Sequence, residues 1–234
     1  MKKNVIIAGG SRGIGLSCAK GFLGLGYNVI IASANENNLK QAIAKIEHKK
    51  AKLLHKKCNI SDESEVKSLF DFCKSNFGEV DILINCAAII QNQDFIDLNI
   101  EDWQKLMDIN VKGSVLCCYQ AFKQMKNKGG NIINISSLGG LQNFSKFSGF
   151  SSYVTSKFAI TGLTESLAVE GKKFNIRVNA IAPGAVDTEM LKKAAPNLKT
   201  STKPQDIAKN IIYLCDDDHC NHITGTILTI NSNE

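Results

Sequence analysis

Val5-Ile6-Ile7-Ala8-Gly9-Gly10-Ser11-Arg12-Gly13-Ile14-Gly15 is the stretch whose reading decides the fold. Four apolar residues, most of them β-branched, read as a short buried strand. The strand runs straight into glycines and then into a helix-patterned stretch, Gly13 to Leu25. A glycine at the strand end permits a tight turn, and Gly13 and Gly15 let backbone amides and a helix N-terminus approach a pyrophosphate. The spacing is Gly-x-x-x-Gly-x-Gly rather than Gly-x-Gly-x-x-Gly. Taken alone it also fits an ordinary strand-to-helix connection.

Working outward, the same alternation of a short β-branched run and an amphipathic stretch continues along the chain. Strands are expected near Val5 to Ala8, Asn28 to Ala32, Lys52 to Lys57, Ile82 to Asn85, Asn131 to Ser136, Ile176 to Ile181 and Thr226 to Ile230. Helices are expected near Gly13 to Leu25, Asn37 to Lys49, Asp62 to Phe77, Glu101 to Lys126, Ser152 to Gly171 and Pro204 to Leu214. Ser61 reads as an N-cap, Gly26 and Gly171 as residues past helix ends, and Pro204 as a first-turn proline. The pattern implies an α/β, doubly wound Rossmann fold: a seven-stranded parallel sheet with helices on both faces. Its ligand crevice lies beyond the strand C-termini.

Composition sets limits on class and partners. With 234 residues, 44% hydrophobic and 21% charged, the chain is expected to form one domain over residues 1–234, stable without disulfides or metal. Eight cysteines form no Cys-x-x-Cys pair and sit mostly in apolar stretches, which favours a reducing compartment. After Met1-Lys2-Lys3-Asn4 the apolar run ends at Ala8, too short for a signal peptide. Nothing approaches the roughly 18 apolar residues of a membrane span, so a cytoplasmic protein with no membrane partner is expected. The net charge of +6 comes from scattered lysines that read as solvated faces, not as a nucleic-acid platform. Such a bias also attracts phosphate-bearing cofactors or acidic substrates. Cys215, His219, Cys220 and His222 crowd together beside Asp216 to Asp218 but match no closed zinc motif, so no metal is expected. His48 and His55 read as surface residues.

The second strand should end near Ser33, where NAD-binding folds carry a carboxylate for the ribose 2′-hydroxyl. Here the residues are Ala32-Ser33-Ala34-Asn35. No negative charge repels a 2′-phosphate, and Arg12 is placed to pair with one. NADP is therefore favoured over NAD, although Arg12 also fits an exposed surface position.

A tyrosine can exchange protons near neutral pH only if its pKa, about 10 in water, is pulled down. A lysine four residues later on a helix shares its face and brings a positive charge. Tyr153 and Lys157 have that spacing, but so do Tyr119 and Lys123. Context separates the two pairs. Tyr119 lies inside a long helix and reads as packing or interface. Tyr153 opens a helix shortly after a strand that ends in Ser136-Ser137 at the crevice edge, where a serine hydroxyl can hold a substrate oxygen.

With these motifs in order, the chain resembles the short-chain dehydrogenase/reductase family, and within it the 3-oxoacyl-carrier-protein reductase branch. The resemblance rests on Gly9 to Gly15, Asn85-Cys86-Ala87-Ala88, Asn110, Ser136-Ser137, Tyr153 to Lys157, and Arg177 to Gly184 followed by Thr188. It implies four catalytic residues: Ser137 orienting the carbonyl or hydroxyl, Tyr153 moving the proton, Lys157 lowering the tyrosine pKa and binding nicotinamide ribose, and Asn110 holding a relay water. It implies cofactor contacts at Gly9, Ser11, Arg12, Gly13, Ile14, Gly15, Ser33, Asn59, Ile60, Asn85, Ala87, Tyr153, Lys157, Pro183, Gly184, Val186 and Thr188, with Ile181 nearby. It also implies a small carbonyl or alcohol substrate, a 3-oxoacyl thioester among the candidates, and a homo-tetramer or homo-dimer built on the long helices.

The chain departs from the family in several places. Ala8 stands where threonine is usual, the Asn85 motif lacks its terminal glycine, and the segment Glu189 to Lys203, the lid region in relatives, is short. The ending, Asn231-Ser232-Asn233-Glu234, lacks the usual glycine-rich tail. The long loop Leu141 to Ser151 carries Phe144, Phe147 and Phe150 and reads either as the wall of an apolar pocket or as a surface loop. The alternative function is a non-catalytic dinucleotide sensor on the same fold.

Overall fold

In the computed structural model, which describes residues 2–46 and 51–231, strands β1 Asn4–Ala8, β2 Asn28–Ser33, β3 Leu53–Lys57, β4 Ile82–Asn85, β5 Gly130–Ile135, β6 Ile176–Pro183 and β7 Ile227–Ile230 form one sheet. The order is β3-β2-β1-β4-β5-β6-β7, and every neighbouring pair is parallel. Each strand lies within two residues of its expected position. The order reverses between β1 and β4, and such a switch point opens a crevice at the strand C-termini.

Side chains alternate across the sheet, and so divide the core in two. On one face Val5, Ile7, Ile31, Ile84 and Ile133 pack under α1 Gly13–Gly24, α2 Glu36–Ala44 and, later in the chain, the helix Pro204–Leu214. On the other face Ile6, Ile30, Leu83, Ile132 and Val178 meet α3 Glu63–Phe77 and the helices Gly113–Met125 and Ser151–Gly171. The result is the doubly wound α/β fold. Burial on both faces explains why these strands are apolar without alternation.

Three expectations about helices need correction. The stretch Glu101 to Lys126 is not one helix: α4 Ile100–Met107 and α5 Gly113–Met125 are joined by a π-helical turn, Asp108–Lys112. Apolar periodicity is blind to one extra residue per turn, and such turns gather at functional sites. Gly171 does not follow a helix end but is the last residue of α6 Ser151–Gly171. A Cβ there would lie 2.4 Å from the Ile176 carbonyl oxygen, so glycine lets the helix meet β6, and left-handed Asn175 makes the turn. Asp62, not Ser61, caps α3: its carboxylate accepts from the Glu65 amide, while the Ser61 hydroxyl donates to Asn59.

Between β6 and β7 come α7 Glu189–Ala194, α8 Pro204–Leu214, where proline does open the helix, and α9 Asp217–Cys220. Neither α7 nor α9 was expected; both are too short to show periodicity. The expected extension of α2 to Lys49, His48, and the end of the chain from Ser232 lie in part or wholly outside the described residues. Among the described residues no helix is long and apolar enough to cross a membrane.

Removing the true cap should cost more than removing its neighbour. Asp62→Ala is expected to lower the midpoint of urea denaturation measurably, and Ser61→Ala by clearly less. Equal losses would restore Ser61 as the cap.

Candidate active site

A cavity of about 920 Å³ opens along the strand C-termini. One end is the glycine turn. The Gly9 and Gly10 amides donate to the Ala32 carbonyl at 2.8 and 3.1 Å, which folds the turn back across β2. A Cβ on Gly9 would lie 2.5 to 2.8 Å from the backbone of Cys86 and Ala87, and one on Gly15 only 2.3 Å from the Gly9 carbonyl oxygen. Glycine at these positions answers to contact rather than to flexibility. Gly13 is left-handed, at φ 55°, and leads into α1, whose first amides face the cavity end.

Most residues singled out for the cofactor border this cavity. Gly9, Ser11, Arg12, Gly13, Ile14 and Gly15 come from the turn, and Ser33, Asn59 and Ile60 from the ends of β2 and β3. Ala87 follows β4, Pro183 ends β6, and Gly184, Val186 and Thr188 come after it. Asn59 is occupied with its own loop, its Oδ1 accepting from the Ser61 amide and hydroxyl. Arg12 is exposed and donates to Glu189 of α7 at 3.1 Å, an ion pair across the cavity mouth that sequence separation hid.

Two residues, Asn85 and Ile181, belong to the interior and not to the cavity wall. Asn85 faces α5, where its amide donates to Asn134 Oδ1 at 2.9 Å and to Cys118 Sγ at 3.3 Å. As the last residue of β4 its side chain points away from α1, whereas that of Cys86 points toward it. Ile181 is fully buried in the core.

Ser137, Tyr153 and Lys157 do converge on the cavity. Ser137 leaves the end of β5, and its hydroxyl lies near enough to that of Tyr153 to favour the phenolate. The Lys157 ammonium sits 5.4 Å from the centre of the Tyr153 ring, one helical turn away. It donates to the Ile135 carbonyl at 2.7 Å. This corrects the simple electrostatic expectation. Burial pushes the Tyr153 hydroxyl up to about 12, only partly offset by Ser137. Burial likewise lowers Lys157 to about 8, with Cys86 opposing it. The ammonium is committed to Ile135, and desolvation governs both groups.

Asn110 stands behind the cavity rather than in its wall. Fully buried in the π-helical turn, it accepts from the Ile89 amide at 2.8 Å and donates to the Ile89 carbonyl at 2.9 Å and to Ser156 Oγ at 3.0 Å. Ser156 in turn donates to the Tyr153 carbonyl at 2.7 Å. Asn110 thus fastens the segment after β4 to the helix that carries Tyr153. Ser136, passed over in favour of Ser137, holds that helix as well, donating to the Lys157 carbonyl at 3.0 Å. Neither role leaves a signal in sequence spacing.

Phe144, Phe147 and Phe150 do not border the cavity, and Phe147 is 70% exposed; the long loop covers the surface. Its Gly149 carbonyl accepts from Gln93, and Asn92 reaches the Ala194 carbonyl at the end of α7, so three loops meet there. Tyr119 lies half exposed on α5 with Lys123 4.2 Å over its ring, outside the cavity. His55 faces Glu36 on the surface, and His219 pairs with Asp216 beside buried Cys215 and Cys220. Among the described residues no group of three or more His, Cys, Asp or Glu is arranged to hold a metal ion.

Residues 3–199 match the model of the short chain dehydrogenase family. The chain is 35% identical to a 3alpha-hydroxysteroid dehydrogenase of Mediterraneibacter gnavus, covering 98% of this chain and 95% of that one. It is 32% identical to a 3-oxoacyl-acyl-carrier-protein reductase of Staphylococcus aureus, covering 99% and 97%. Among solved structures, levodione reductase superposes with a TM-score of 0.90 at 25% identity, covering 97% and 95%. ElxO with NADP bound gives 0.87 at 32% identity, covering 99% and 98%.

The buried ammonium predicts a stability signature. Because Lys157 titrates near 8 when folded and near 10.4 when unfolded, the unfolded chain holds more protons between those values, and stability rises with pH across that window. Relative to Lys157→Met, the native protein should gain up to a few kcal/mol between about pH 8 and about pH 10 in urea denaturation. A difference that stays constant with pH would place the ammonium in solvent.

Proposed function

The chain belongs to the short-chain dehydrogenase family, whose members bind a nicotinamide dinucleotide and act on hydroxyl or carbonyl groups, and from that premise we propose that it moves hydride reversibly between NADP(H) and a ketone or secondary alcohol. The observation that carries this reading is the convergence of Ser137 and Tyr153, with Lys157 a turn away, on the cavity that also holds the glycine turn. The glycine turn fits a pyrophosphate because no Cβ is tolerated between its backbone and that of Cys86 and Ala87. NADP is preferred because Arg12 stands at the mouth and Ser33, Ala34 and Asn35, which line the cavity after β2, carry no carboxylate, so a 2′-phosphate that takes Arg12 has to displace Glu189.

When bound, the nicotinamide gives or takes the hydride. Ser137 donates to the substrate oxygen and fixes its distance from Tyr153. In reduction the Tyr153 hydroxyl gives its proton to the oxygen that becomes the alcohol; in oxidation tyrosinate takes it back. Lys157 holds the ribose side and, released in part from Ile135, stabilises the tyrosinate. Asn110 acts by holding the Tyr153 helix through Ser156. A hydroxyl raised to about 12 stays protonated at neutral pH, which suits carbonyl reduction. The substrate end, bordered by Ile89, Ile90, Met190 and Leu191, is apolar and suits an uncharged ketone as well as the 3-oxoacyl thioester of a carrier protein. Both classes occur among the named relatives. We further propose one cytoplasmic domain over residues 1–234 that assembles as a homo-tetramer or homo-dimer, since α5 and α6 leave Val115, Tyr119, Phe158 and Val169 exposed.

Binding of NADPH and NADH, followed by a ketone and alcohol panel, tests the reading directly. Tyr153→Phe should bind the dinucleotide and lose about 10²- to 10⁴-fold in turnover; full turnover would refute the assigned chemistry. Arg12→Ala should weaken NADPH about tenfold or more and leave NADH nearly unchanged. In the active protein, carbonyl reduction should hold level through neutral pH while alcohol oxidation climbs toward alkaline pH, the direction set by the raised Tyr153 hydroxyl.

A further inference from the structure

Among the described residues the carboxylates that border the cavity are Asp187 and Glu189, and they are held differently. Asp187 accepts from Lys192 of α7 at 2.9 Å and from Lys203, just before α8, at 2.7 Å. Its charge is answered twice within its own segment. Among the described residues the Glu189 side chain meets one partner, Nη1 of Arg12, through one oxygen at 3.1 Å. Both members are open to solvent, with 54% and 68% of their side chains exposed, so the pair by itself is weak. Its position gives it consequence. Thr188 caps α7, its hydroxyl accepting from the Leu191 amide at 3.2 Å, and a Cβ on Gly13 would lie 3.5 Å from the Thr188 methyl carbon. The start of α7 therefore lies against the glycine turn. Glu189 is the next residue, and Met190 and Leu191 after it border the substrate end.

We propose that Glu189 is a specificity-determining residue that acts through Arg12: it occupies the guanidinium in the dinucleotide-free protein, competes with the 2′-phosphate, and is displaced by NADP(H) but not by NAD(H). The proposal rests on the assignment of Arg12 to the 2′-phosphate. A phosphomonoester carries a charge of about −1.5 to −2 at neutral pH, and its oxygens match the guanidinium fork with two parallel bonds. Glu189 offers one oxygen and a single charge. Exchange of partners favours the phosphate, but by less than the new contact alone would give, since one ion pair is lost for the one gained. Displaced Glu189 then shares the mouth with a second anion, which adds repulsion to the competition. NADH brings no such group, and with it the pair stays closed. The rest of the segment keeps its own ties: Asp187 to its two lysines, and the Ala194 carbonyl, which accepts from Asn92 at 3.1 Å. The exchange thus frees the first turn of α7 alone, and with it the wall that Met190 and Leu191 give the substrate end.

The test is titration of NADPH and NADH against the native chain, Glu189→Gln, Arg12→Ala and the double variant. Glu189→Gln, which keeps the side-chain shape and removes its charge, should tighten NADPH about two- to fivefold and leave NADH unchanged. The gain should vanish in the Arg12→Ala background and fade in about 1 M sodium chloride, where charges more than about 3 Å apart are screened. In the native chain, hydrogen exchange of the α7 peptide should be faster when saturated with NADPH than with NADH, a difference that Glu189→Gln removes. Equal tightening of both dinucleotides, a gain that survives loss of Arg12, or equal exchange of α7 with both cofactors overturns the proposal. If Arg12→Ala weakens NADPH while Glu189→Gln tightens nothing, this proposal alone falls. If the native chain binds neither dinucleotide, or Arg12→Ala leaves NADPH unchanged, the NADP(H) reading falls and takes this proposal with it.

Discussion

At the junction of β1 and β4 the backbone of Gly9 rests on that of Cys86 and Ala87, and Gly15 rests on Gly9, each too close for a Cβ. That double contact brings the first turn of α1 down onto the point where the sheet reverses its order. A side chain at either glycine would lift the helix away from the sheet. The amides at its N-terminus would then no longer face the cavity end, where an anion gains both hydrogen bonds and the favourable end of the helix dipole. The rest of the cavity is assembled around this fixed end.

The opposite side depends on how α6 is fastened to β5. Gly140 lies against the backbone of Lys157, where a Cβ would come within 2.6 Å. Ser136 bonds the Lys157 carbonyl and Thr161, and Asn110 reaches Ser156 from the π-helical turn. Each such bond contributes only about 1 kcal/mol net, but left unmade in the interior each would cost more. Together they fix where Tyr153 and Lys157 stand relative to Ser137.

Holding these groups in the interior has an electrostatic cost. Burial raises Tyr153 and lowers Lys157, so the dinucleotide-free pair is set against ionisation of either member. Removing both groups from water is also what makes a bound cofactor's charge effective there, because the local dielectric is low. The same enclosure leaves Cys86 half-buried at the cavity edge.

The sequence alone carried the fold, because β-branched runs, amphipathic stretches and their glycine and proline punctuation are local signals, and parallel pairing follows from their alternation. It also carried the glycine turn and Ser137, Tyr153 and Lys157, since each lies at a strand end or on a helix face that local pattern can locate. The tertiary structure decided the direction each side chain takes. Asn85 turned to the core and Asn110 became a fastening, because the parity of a strand end and one π-helical turn rotate a side chain without altering the hydrophobic pattern. The ion pair of Arg12 with Glu189, separated by 177 positions, exists only once the glycine turn and α7 are packed around one cavity. Spacing along a chain records what neighbours do, whereas contacts between distant elements follow from packing.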